Sequence, residues 1–162
     1  MAELNDIYSE RLLDLAAEVP HAERLAAPDG TATAHSKLCG STVSVDLQLD
    51  GDVITGFGQT VKACLLGQAS ASIVGREIIG ATTDEIVRVG VIMRAMLKQD
   101  GPPPTGRWAD LALLEPVRAY KSRHASTLLI FEAIDKAVAA ARANADEAAD
   151  KGADAGAAAP CH

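Results

Sequence analysis

Two cysteines could carry chemistry in this sequence: Cys39 in Lys37-Leu38-Cys39-Gly40-Ser41 and Cys64 in Lys62-Ala63-Cys64-Leu65-Leu66-Gly67-Gln68. Cys64 stands where a strand-like run gives way to a helical one. At a helix start the dipole and the free N–H groups favour a thiolate, and the nearby Lys62 adds positive charge. Cys39 is followed by Gly40, which permits a sharp turn and leaves the sulfur approachable, and Lys37 is its cationic neighbour. Thiolates in such settings bind zinc, iron or copper(I), or attack sulfur donors. The alternative is that both are small buried hydrophobes, as free cysteines commonly are. No Cys-x-x-Cys occurs in the chain, so spacing alone leaves both readings open.

Other chemistry is thinner. His124 follows Arg123 at the expected start of the last helix; taken alone it reads as a capping or surface histidine, with metal ligation as the second option. His21 and His35 have no identifiable partner. Cys161-His162 closes the chain with no second half-site nearby. There is no Gly-x-Gly-x-x-Gly or Walker-type loop to hold a nucleotide, and no Gly-x-Ser-x-Gly elbow for acyl transfer.

The elements that must position the cysteines follow from periodicity. A helix is expected over about residues 3 to 18, where Leu4, Ile7, Tyr8, Leu12, Leu15 and Ala16 recur at helical spacing. Pro20 and Pro28-Asp29-Gly30 bracket an irregular stretch. From Thr31 the period becomes two. Val43, Val45, Leu47 and Leu49 point one way and Thr42, Ser44, Asp46 and Gln48 the other. Asp50-Gly51-Asp52 supplies a hairpin turn, and Val53, Ile54 and Phe57 begin the returning strand. The expectation is an antiparallel meander of about three strands with one wet face.

After Cys64, Leu65, Leu66, Ala69, Ile73, Val74 and Ile78 form a helical stripe. Thr82-Thr83-Asp84-Glu85 caps a further helix that stops at Asp100-Gly101-Pro102. A short helix should hold Trp108 and Leu111 to Leu114 and end near Pro116. The last helix is expected from about Ser122 to Ala145. Residues 1 to 145 form one domain on this reading, and 146 to 162, rich in Ala, Asp and Gly, form a disordered tail with nothing to bury.

Composition bounds the function. The chain has 162 residues, 48% of them hydrophobic, enough for one ordinary core. A net charge of −7 argues against nucleic acid as the main partner. No apolar run is long enough to span a membrane, and the N-terminus lacks the features of a secretory signal. Three cysteines, an odd number, make a disulfide framework improbable and the cytoplasm the natural compartment.

The motifs, taken in order, resemble the IscU/SufU/NifU-N-terminal iron–sulfur cluster scaffolds over about residues 5 to 142. Tyr8-Ser9-Glu10-Arg11-Leu12-Leu13-Asp14 looks like the opening helix of that family. Leu38-Cys39-Gly40 is similar to its first ligand motif, Ala63-Cys64 with Gln68-Ala69-Ser70-Ala71-Ser72 to its second, and Arg123 to Ile134 to its third. The family aspartate two residues after the first cysteine is Ser41 here. Aligning Arg123 and Phe131 sets the third cysteine at Ser126, with Ala125 before it.

The resemblance implies an α+β fold, a three-stranded antiparallel sheet packed by helices. It also implies a non-enzymatic scaffold or carrier that holds iron and sulfide, or a [2Fe–2S] cluster, through Cys39 and Cys64 and passes it to apoproteins. Zinc is an alternative occupant. Its partners would be a cysteine desulfurase and recipient apoproteins. A [2Fe–2S] cluster takes four protein ligands; His124 could stand in for one, or a homodimer could pool two cysteine pairs. A second resemblance is to the SufE sulfur acceptors, whose Cys-x-Ser-x-Val segment is echoed by Cys39-Gly40-Ser41-Thr42-Val43 and whose Ser-Arg pair is echoed by Ser122-Arg123. On that reading Cys39 carries a persulfide. A third reading is a member that only binds partners.

Overall fold

Alternation and helical periodicity are realised in the expected order. The computed structural model describes residues 10–37 and 40–158, with side chains through Asp146. Helix α1 (Glu10–Ala17) buries Leu12, Leu15 and Ala16, and the first part of the expected helix lies outside the described residues. Strands β1 (Gly30–His35), β2 (Thr42–Asp50) and β3 (Val53–Lys62) follow, then α2 (Leu65–Glu77) and α3 (Thr83–Lys98). A 3-10 segment (Gly106–Ala119) and helix α4 (His124–Ala158) complete the described chain.

The sheet is a meander in the order β1-β2-β3, antiparallel throughout. In β2, Val43, Val45 and Leu47 are fully buried, because one face of the alternating strand meets helices. Helix α4 lies across β1 and β2 and also packs on α2 and α3, so its Leu129, Phe131, Ile134 and Val138 centre the core. The β2–β3 turn closes through Gly51 at φ +63°, the left-handed geometry glycine supplies without strain. Thr82 caps α3 by accepting from the Glu85 N–H at 3.1 Å. At the other end Gly101 N–H donates to Ala95 O, and the three prolines beyond it prevent continuation.

Three differences from expectation have physical causes. The second face of the sheet is not simply wet: Asp46 on β2 is fully buried beneath the segment between α1 and β1. Its carboxylate accepts from Arg24 Nε at 2.6 Å and Nη2 at 2.9 Å, from Thr31 Oγ1 at 2.6 Å and from Leu25 N–H at 3.0 Å. That segment lies close because Gly58 has no side chain; a Cβ there would fall 2.2 Å from Glu23 O. Second, the short helix around Trp108 is a longer 3-10 run that continues through Pro116 to Ala119. Third, α4 continues past Ala145 to Ala158, where a structureless tail was expected from Asp146. Ala, Glu and Lys favour helix intrinsically, and extending an established helix avoids the cost of a new nucleus. Cys161 and His162 lie outside the described residues.

Candidate functional site

Strand register brings the two cysteine-bearing loops to one end of the sheet. Thr42, the first residue of β2, pairs with His35 on one side and with Lys62 on the other. The β1–β2 loop and the Ala63–Cys64 junction therefore leave the sheet side by side. Leu38 and Cys39 lie outside the described residues. The backbone on either side of them is held tightly: Ser36 N–H donates to Ser41 O at 2.9 Å and Gly40 N–H to Ser36 O at 2.9 Å. Gly40 adopts φ +70°, as the turn requires. Ser41, at the family aspartate position, is buried.

Cys64 is the N-cap residue of α2, in extended geometry at φ −66° and ψ 173°. Its carbonyl accepts the first helical bond, from Gln68 N–H at 3.0 Å, and Gln68 Nε2 reaches back to Ala63 O at 3.0 Å. Its thiol is half-buried and makes no cap bond to the helix. Instead Sγ lies 2.8 Å from Ser126 Oγ on the first turn of α4. Ser126 is only 2% exposed. The residue that the alignment sets at the third-cysteine position is thus the one touching Cys64. The approach depends on Gly67: a Cβ there would fall 2.7 Å from Ala63 Cβ and 3.1 Å from Ser126 Oγ.

His124 is not the surface or capping residue its isolated position suggests. It is 7% exposed, and Nε2 lies 3.1 Å from Val117 O and 3.2 Å from Arg118 O. Both neighbours are acceptors, so Nε2 is the donor. His21 packs edge-on against Phe57, and His35 Nδ1 meets Thr42 Oγ1 at 3.2 Å. Among the described residues no three His, Cys, Asp or Glu side chains cluster as a metal site.

Gln68 was not singled out from the sequence for the work it does here, whereas Gly67 is among the small residues of this helix that the sequence marks for close packing. A long amide four residues after a helix-start cysteine, with glycine between them, was the available signal. The spacing of Cys64 and Ser126 in the chain gave no sign of their contact; only the family alignment raised Ser126.

The chain is similar to solved structures over most of its length. It is 50% identical to the N-terminal part of a nitrogen-fixing NifU-like protein from Brucella abortus, covering 86% of this chain and 96% of that one with a TM-score of 0.84. The chain belongs to the IscU/SufU/NifU family. A candidate SUF-system cluster assembly scaffold from Fervidobacterium islandicum shares the fold at 21% identity and TM-score 0.76, over 83% of this chain and 98% of that one. The iron–sulfur cluster assembly scaffold protein IscU of Streptococcus pyogenes serotype M1 is 22% identical over 140 residues, 85% of this chain and 86% of that protein. No family model matches the chain. Among the described residues no helix is long and apolar enough to cross a membrane.

Proposed function

We propose that this protein is a cytoplasmic iron–sulfur cluster assembly scaffold or carrier, binding iron and sulfide or a [2Fe–2S] cluster through Cys39 and Cys64. The cluster is cargo, received with the help of a cysteine desulfurase and passed to apoproteins, and the protein turns over no substrate alone. The observation that carries this reading is the half-buried Cys64 thiol at a helix start, at the sheet end from which the Cys39 loop also leaves. Thiolates are the donors iron–sulfur clusters take, and partial exposure leaves a route for loading and release. Ser126 is a poor soft-metal donor, so the remaining ligands come from His124 through Nδ1, from the recipient, or from a second copy of the chain. Two thiolates bind less tenaciously than three, which suits a carrier; zinc is the competing occupant. The test is transfer. Anaerobically reconstituted protein mixed with an apo-ferredoxin should lose its visible absorption as the ferredoxin gains its own, and cluster retained on the first protein would contradict the proposal.

One observation favours a second reading. The group beside Cys64 is a hydroxyl and not a thiol, so no third thiolate adjoins it, and a sulfur acceptor needs only one carrier cysteine, Cys39, with Cys64 auxiliary. There the Cys39 thiolate attacks the outer sulfur of the desulfurase persulfide, forming a Cys39 persulfide and releasing the desulfurase thiolate with no net redox change. Mass spectrometry would then find 32 Da, about one sulfur atom, added at Cys39 after desulfurase treatment, with no cluster formed on reconstitution.

A further inference from the structure

Beside the thiol end of the sheet runs a trough that the Cys64 thiol does not line. One part, of about 540 Å³, is lined by Leu97, Lys98, Asp100, Arg118, Lys121 and His124. The other, of about 320 Å³, is lined by His35, Ser36, Arg94, Leu128 and Glu132. Lys98 and Ala125 line both, so the two hollows adjoin. One end opens at Ser36, at the foot of the Cys39 loop, and the middle passes Ala125, the neighbour of Ser126. Leu97 adds apolar lining to the first hollow, Leu128 to the second, and Ala125 to both.

The walls are basic in a chain that is acidic as a whole. Arg94, Lys98, Arg118 and Lys121 face Asp100 and Glu132, while the chain carries a net charge of −7. Arg94 is paired with Asp135 at 3.0 Å, and Arg118 reaches Asp100 at 3.7 Å and Glu115 at 3.6 Å. Lys98 and Lys121 make no ion pair among the described residues. Exposed cations held by nothing internal are the groups a partner's carboxylates can engage, and the surrounding negative surface would turn such a partner away elsewhere.

We infer that this trough docks an extended acidic segment of a partner protein, carboxylates on Lys98 and Lys121 and apolar side chains on the apolar lining. The inference rests on the carrier reading above, since its use is to bring a donor or recipient up to the thiols, but its binding step requires no cluster. The probe is a fluorescein-labelled 12-residue peptide alternating Glu, Asp and Leu, titrated into the full chain and followed by anisotropy. Binding should weaken as salt rises and should fall about tenfold or more in Lys98→Glu/Lys121→Glu, since charge reversal replaces attraction by repulsion. Arg76→Glu, on α2, should bind as wild type. A Lys/Leu peptide of the same length should not bind. Equal binding by the charge-reversed variant, no binding by wild type, or displacement by a single-stranded oligonucleotide at lower concentration than the free acidic peptide would overturn the proposal. Circular dichroism of the variant separates lost binding from lost folding. If the peptide binds while reconstitution fails, the carrier reading falls and the docking site stands; the reverse result separates them the other way.

Discussion

Ser126 is the residue that closes on the Cys64 thiol. Its buried hydroxyl meets the Cys64 sulfur at 2.8 Å, close enough that a sulfur in its place would share a metal with Cys64. Ser126→Cys should therefore raise zinc affinity by at least about tenfold, the scale on which even neighbouring changes move metal sites. Competition against a chromophoric chelator measures this, and unchanged affinity would remove Ser126 from the ligand set. The sequence marks Cys64, through its place at a helix start, and the family alignment marks Ser126. Neither could reveal that His124 turns its Nε2 to the carbonyls of Val117 and Arg118, because that depends on how the 3-10 segment folds back toward α4.

At the scale of elements, the site is a junction between the start of α2 and the start of α4, and Gly67 lets them meet. Gly67→Ala should destabilise the fold by about 1–3 kcal/mol, the usual cost of forcing a methyl into a packed contact, and should speed alkylation of Cys64 as Ser126 is pushed away. Urea titration and a thiol-reactive dye give the two readouts. The other element with a clear energetic role is the segment between α1 and β1, held to the sheet by Asp46. The Arg24 guanidinium, hydrogen-bonded to it, holds the Asp46 carboxyl below the ordinary carboxylate range, although burial acts the other way. A depressed carboxylate pKa adds stability that is full above the unfolded value, near 3.9, and is lost as pH falls through the folded one. Asp46→Asn should flatten the acid side of the stability–pH curve, and Asp46→Ala should cost about 1–3 kcal/mol near neutral pH. An acid limb unchanged in Asp46→Asn would deny the carboxylate this role. Alternation in β2 located Asp46 on the second face of the sheet. What covers that face was not legible, because the covering stretch, Pro20 to Pro28, has no periodicity to read.

For the whole molecule, the meander, the capped α3 and the core face of α4 were all legible, since each is written as a local period with a turn or cap at its end. The length of α4 was not: a burial pattern cannot predict where a helix stops once its buried positions have ended. The last buried side chain described is Ala141, so deleting residues 147 to 162 should shift the melting temperature by less than about 3 °C, equivalent to under ~1 kcal/mol. A larger loss would mean that the extension packs on the domain.

The central claim is that one site uses both cysteines. Anaerobic reconstitution with iron and sulfide, read by visible absorption and iron counting on wild type, Cys39→Ala and Cys64→Ala, tests it most directly. The account predicts a cluster on the wild type and loss of its colour in each single variant. A cluster that survives either substitution, or a wild type that never takes one up, would contradict it.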